Sequence, residues 1–215
     1  MVSRSESTVA HGPEHRLERL IFFSDAVFAI VITLLVIDLH APRLPYGSPD
    51  RAYWIALAEL TPGFIGFVIS FFVIGFYWTG HHRTLSLARH FSPKLFAPNL
   101  MLLAAVAAMP FFTAFASANP AMRVPVFCYC AWLLVAGVCN RWLQAVVTSP
   151  PVVDEHAPHD LILTARDRGT AVILGTLTAT IVSLVIPIFG QMALCSIPAW
   201  RGLLHRLRER KAAKE

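Results

Sequence analysis

Asp25 is the side chain hardest to place in this sequence without assigning it a task. It closes the segment Arg19-Leu20-Ile21-Phe22-Phe23-Ser24-Asp25, about a turn and a half inside an otherwise apolar run, where a carboxylate is costly unless paired or hydrated. Such a group either belongs to an ion or proton path or acts as a clasp, with Ser24 and Asp25 accepting hydrogen bonds that fix the packing of neighbouring helices. A second concentration of ionisable groups, His81, His82 and Arg83, follows Tyr77-Trp78-Thr79-Gly80. These histidines are either members of a buried network or a solvated pair at headgroup level. His156 and His159 stand among Pro150, Pro151 and Pro158 and read as solvated. Cys128, Cys130, Cys139 and Cys195 lie in apolar stretches without a paired C-x-x-C spacing, so they read as buried packing residues rather than zinc ligands or disulfide partners. So few histidines do not build the repeated histidine boxes of a membrane di-iron enzyme, and no enzyme is expected.

The elements that must position these groups are membrane-spanning helices. Of 215 residues, 56% are apolar and 14% charged, and the mean hydropathy is +0.59. An average soluble domain is about 25% charged, so this chain has too little polar surface for a solvated globule. A soluble enzyme or nucleic-acid-binding protein is thereby excluded in practice. Six spans of ~20 residues would use about the apolar residues available. The runs place them at about 19–39, 54–79, 95–116, 124–147, 169–186 and 188–204, within a domain of residues 19–205. The second is interrupted at Thr61-Pro62-Gly63, where proline bends the span or marks its start. The expected fold class is thus all-α and polytopic. Residues 1–18 are polar and lack the basic start and short apolar core of a signal peptide. Residues 149–167 form the longest polar loop, and residues 206–215 a polybasic tail.

Lysine and arginine concentrate on the cytoplasmic side of membrane proteins. With six spans and both termini inside, fifteen of the eighteen basic residues fall on that side, leaving only Arg43, Arg51 and Arg123 outside. Five or seven spans would put the carboxyl-terminal cluster outside. The net charge of +5 and pI near 9.3 then speak of topology, and of anionic headgroups at the basic tail, rather than of nucleic acid.

Within the first helix, ~100° per residue sets Asp25 about 140° around the axis from Ile30. Ile30, Leu34 and Ile37 repeat at i, i+4 and i+7, with Thr33 beside them and Phe23 two turns below. This stripe either lines a pathway or packs against lipid or protein, and Thr33 has the further option of bonding back to the carbonyl of Ala29. Asp38, at the outer end of that helix, either draws cations, aided by the helix dipole, or is a solvated end group.

The pattern Arg19-x-x-x-Phe23-Ser24-Asp25, followed by Phe28-Ala29-Ile30-Val31-Ile32-Thr33-Leu34-Leu35, resembles the signature of the lysosomal potassium channel family, transmembrane protein 175, and its prokaryotic relatives. The likeness covers the chain in topology, but its specific part is confined to these residues and to 78–83. It implies one six-span repeat per chain, assembled as a homotetramer in a prokaryotic inner or plasma membrane. It further implies a potassium-selective, leak-type pore lined by the first helix of each subunit, without a carbonyl filter; no T-V-G-Y-G segment occurs. By position, Ile30, Leu34 and Ile37 match the constriction, and Thr33 matches a polar pore position tied to selectivity. The resemblance also implies a polar cluster against the Phe-Ser-Asp motif, and the costly carboxylate motivates pairing Asp25 or Ser24 with His81 or His82, with Asn99 nearby. A ring of branched side chains gates by dewetting, and an ion crossing it sheds part of its hydration shell, which favours potassium over sodium. No cofactor is expected beyond potassium as permeant ion. The rival reading is a proton- or ion-coupled secondary transporter built on Asp25, the Pro62-Gly63 break and the histidine pair. No inverted repeat supports it. A purely structural membrane subunit would share the topology without conducting.

Overall fold

A computed structural model describes residues 13–212 of the chain. The expected amino-terminal segment 1–18 and basic tail 206–215 therefore fall partly outside the described residues. Those described are helical throughout, apart from turns, loops and one isolated bridge between Ala88 and Val153.

Helix α1 runs over Pro13–Leu34, and so ends five residues short of the expected 39. Past Leu34 the backbone tightens into three-residue turns, with Ile37 N donating to Leu34 O at 3.0 Å and Leu39 N to Val36 O at 3.1 Å. Terminal carbonyls without an intrahelical partner favour this tightening. Ile37 and Asp38 consequently lie in a turn beyond α1 rather than on it.

The interrupted second span resolves into α2, Asp50–Glu59, and α3, Thr61–Leu85, joined at Leu60. Pro62 stands in the first turn of α3, where its missing N–H removes no intrahelical bond. The third span, expected to be continuous, is likewise two helices after a 3-10 turn at Pro93–Leu95. These are α4, Phe96–Ala107, and α5, Met109–Ala118, separated at Ala108 with Pro110 in the first turn of α5. Helix α6, Arg123–Val147, follows the apolar run closely.

Helix α7, His159–Val185, begins ten residues before the expected 169, so the loop reaches only to Pro158. Hydropathy marks the part of a helix suited to lipid and misses its polar extension. Polar contacts hold that extension: Arg166 donates to Thr148 Oγ1 and O at 3.1 and 2.8 Å, capping α6. Loop residues 86–92 and 149–158 are tied by Arg89 N to Val152 O, 3.0 Å, and Asp154 N to Leu87 O, 2.9 Å. The expected last span is α8, Pro187–Gly190, a 3-10 turn at Met192–Ser196, and α9, Ile197–Ala212. Among the described residues, four stretches, α3, Pro93–Ala118, α6 and α7, are long and apolar enough to cross a membrane.

Helix α6 is central, packing on α4, α5 and α7, with α9 on the far side of α7 and α1 against α3 and α4. Small residues permit the close approaches. A side chain at Gly169 would collide with Gln144 and Arg141 of α6, and one at Gly175 with Ile197 of α9. Some buried polar groups find partners across helices, which spares them an unsatisfied place in the apolar interior. Ser70 Oγ contacts Thr113 Oγ1 at 2.7 Å and Tyr129 OH at 3.1 Å, and Tyr77 OH donates to Leu133 O at 3.0 Å. The cysteines are free but not uniformly buried: Cys130 is, Cys128 and Cys139 are half-buried, and Cys195 is exposed because the 3-10 turn carrying it lies at the rim.

Candidate functional site

One-sided burial organises α1. Leu17, Leu20, Ser24, Phe28, Val31 and Leu35 are buried, and they repeat with helical spacing along one face. The opposite side is uncovered: Phe23 is 53% exposed, Ile30 57%, Leu34 39% and Ile37 63%, with Arg19 and Thr33 exposed among them. The stripe read from sequence is thus a face that none of the described residues covers. Thr33 Oγ1 donates back to Ile30 O at 2.8 Å and approaches Ala29 O at 3.2 Å. Its proton is engaged within the helix, so the hydroxyl presents acceptor lone pairs outward.

A polar relay anchors the buried face. Ser24 of α1, His81 of α3 and Asn99 of α4 are each at most 1% exposed and meet in one network. Asn99 Oδ1 accepts from His81 Nε2 at 2.7 Å, and Asn99 Nδ2 donates to Ser24 Oγ at 3.0 Å. Ser24 Oγ donates on to Leu20 O at 2.8 Å. Because Oδ1 only accepts, His81 carries its proton on Nε2, leaving Nδ1 buried and without a protein partner. The Phe28 ring packs against the His81 ring with centroids 5.4 Å apart. One amide therefore joins α1, α3 and α4, each interhelical bond contributing roughly 0.6 kcal/mol by membrane-protein measurements.

Asp25 is outside this relay. Trp78 Nε1 donates to Asp25 Oδ1 at 2.8 Å, and the Trp78 ring lies 6.2 Å, centroid to centroid, from the exposed ring of His82. The structure thus brings together Ser24, His81 and Asn99, and gives Asp25 an indole partner instead of a histidine. Trp78 is the residue that the reading of ionisable groups overlooked. Its signal was an indole N–H within one turn of the histidine pair, the donor that an isolated carboxylate needs. Asp38 is exposed, and its own carbonyl faces His40 Nδ1 at 3.0 Å.

The family model described as endosomal/lysosomal potassium channel TMEM175 matches residues 19–110, which include α1 from Arg19 onward, the relay and Trp78. A potassium channel of Chamaesiphon minutus is 33% identical over 144 residues, covering 65% of this chain and 70% of that protein. This chain belongs to the TMEM175 family. A potassium channel of Streptomyces collinus is 40% identical over 92 residues, and the match spans 43% of each chain's length. An endosomal/lysosomal proton channel TMEM175 of Danio rerio is 28% identical over 196 residues, covering 83% of this chain and 38% of that protein. Among solved structures, the crystal structure of a TMEM175 homolog from Chamaesiphon minutus superposes with a TM-score of 0.75 over 88% of this chain and 98% of that one, at 23% identity. That likeness establishes the TMEM175 fold. The relatives named here are ion channels rather than enzymes, and the apolar helices make the chain an integral membrane protein of that family.

Proposed function

We propose that this chain is the subunit of a potassium-selective, leak-type cation channel whose pore is lined by α1. The observation that carries this reading is the division of α1 into a buried face, clasped by the Ser24–Asn99–His81 relay, and an uncovered face bearing Phe23, Ile30, Thr33 and Leu34, continued by exposed Ile37 in the turn beyond. One lining helix cannot enclose a pore, so the reading requires a homo-oligomer about a central axis, here four copies. Each chain crosses the plasma membrane of a prokaryote six times with both termini cytoplasmic, the segment 187–212 serving as the sixth crossing.

Rings of Ile30, Leu34 and Ile37 form a constriction that dewets when narrow, and a cation passing it sheds water at a cost lower for potassium than for sodium. The outward lone pairs of Thr33 replace part of that shell. Asp38, one turn past the carboxyl end of α1, concentrates cations at the mouth together with the helix carbonyls. The bacterial relatives' potassium-channel names support the choice of ion. The permeating ion is the only ligand this mechanism needs.

The test is single-channel recording of the purified protein in planar bilayers under a potassium-to-sodium bi-ionic gradient, with Ile30→Asn in parallel. Unitary currents reversing in favour of potassium, with selectivity reduced in Ile30→Asn, are expected. Proton-coupled flux in liposomes without unitary steps would overturn the channel reading in favour of a coupled transporter.

A further inference from the structure

The turn that follows α1 carries Ile37 and Asp38, yet little holds it. Over residues 36–43 every side chain is exposed except that of Leu39, which is half-buried. Leu39 is seated on Gly63, in the first turn of α3: its Cδ2 lies 2.9 Å from the point where a Cβ on Gly63 would stand. A side chain there would press Leu39 away, so the bare backbone of Gly63 is what admits it. The seat itself is fixed to the bundle. One turn further along α3, Gly66 packs against Ser117 of α5 without room for a side chain. Beyond it Ser70 Oγ meets Thr113 Oγ1 of α5 and Tyr129 OH of α6 at 2.7 and 3.1 Å. The polar links of α1, from Asp25 to Trp78 and from Ser24 through Asn99 to His81, lie more than two turns before its end. They leave the outer turn untouched, and its own backbone bonds run back only to Leu34 and Val36.

We propose that Leu39, seated on Gly63, anchors the outer turn and is thereby a positioning residue for conduction, acting through the neighbouring Asp38. The consequence for conduction rests on the channel reading; the seat does not. With the seat intact, Asp38 is held at one place at the mouth, where its charge raises the local cation concentration. A loosened turn spreads that charge over a larger volume. The effect weakens most at low ionic strength, where screening is least.

Hydrogen exchange of the full chain, paired with single-channel recording at about 0.1 M and about 1 M potassium chloride, tests this. Leu39→Ala and Gly63→Val are each expected to raise exchange at the amides of Ile37 and Leu39 about fivefold, as loss of part of a leucine's burial does, and to leave residues 20–31 unchanged. Both should lower the unitary conductance about twofold at the lower concentration and little at the higher. Combining the two substitutions moves the same number of carbons from one side of the contact to the other, and should restore both readings. In an Asp38→Asn background, Leu39→Ala should change the conductance no further. Unchanged exchange in both single variants would overturn the seat. Raised exchange with wild-type conductance at both concentrations would overturn the positioning role. If the wild type itself passes no unitary current, the channel reading falls and takes the conductive role with it, while exchange still decides the seat. Should Gly63→Val fail to fold by circular dichroism, Leu39→Ala carries the test with the same outcomes.

Discussion

Asn99 holds the most consequential single position in the polar anchor, since one amide both accepts from His81 and donates to Ser24. Asn99→Ala leaves the buried His81 Nε2–H unpaired, while Ser24 keeps its bond to Leu20 O, and a loss of about 1–3 kcal/mol is expected, read as a fall of several degrees in the melting temperature in detergent. Trp78→Phe is subtler. It keeps an aromatic ring but removes the one N–H donated to Asp25, so a loss of about 1–2 kcal/mol is expected from an unsatisfied, half-buried carboxylate. Asp25→Asn should cost less, and adding Trp78→Phe to it should cost little more. A double-mutant cycle by thermal unfolding checks the coupling, and strict additivity would separate the two residues. Sequence logic reached Ser24, His81 and Asn99 as polar groups needing company. For Asp25 it offered only a histidine, His81 or His82, and missed Trp78, because an indole donor is not marked by charge.

At the scale of elements, prolines and glycines set what hydropathy alone blurred. Pro62 and Pro110 each begin a helix where an apolar run reads as continuous or merely interrupted. Gly169 sets the separation of α6 and α7. Gly169→Leu should force them apart at Gln144 and Arg141, with a cost of about 1–3 kcal/mol and a lower melting temperature. Helix α9 is held along α7 by Arg208 to Asp167 and by Trp200 Nε1 to Thr178 Oγ1 at 3.2 Å. Arg208→Gln is expected to loosen that attachment by about 0.5–1 kcal/mol, as partly exposed pairs do. Hydrogen exchange should then rise in α9 and not in α6, and the swap of Arg208→Asp with Asp167→Arg should restore protection.

Among the described residues several helices carry exposed apolar side chains, and on α1 they stand directly across from a buried face, an arrangement that assembly about an axis would cover. Leu34 and Leu35 are chain neighbours with opposite burial, 39% and 2% exposed. If four α1 helices surround an axis, Leu34→Cys should form interchain crosslinks under mild oxidation, in a background where Cys195 is replaced. Leu35→Cys, buried in the core, should not. Denaturing gels read this directly, and equal crosslinking at both positions would remove α1 from the axis.

The sequence by itself determined the class of solvent, the helical nature of the chain, the signature around Asp25 and the stripe of Ile30, Leu34 and Ile37. Each is written in local spacing and in the hydropathy of consecutive residues. Only the tertiary structure decided where α1 ends, which left Ile37 and Asp38 in a turn, since short-range turn bonds compete with the apolar pattern there. It alone placed Trp78 on Asp25 and joined Ser24, Asn99 and His81 across three helices. Those meetings depend on how far each helix rotates and slides against its neighbours, a choice made by packing at small residues such as Gly169 and Gly175 and invisible in any one helix.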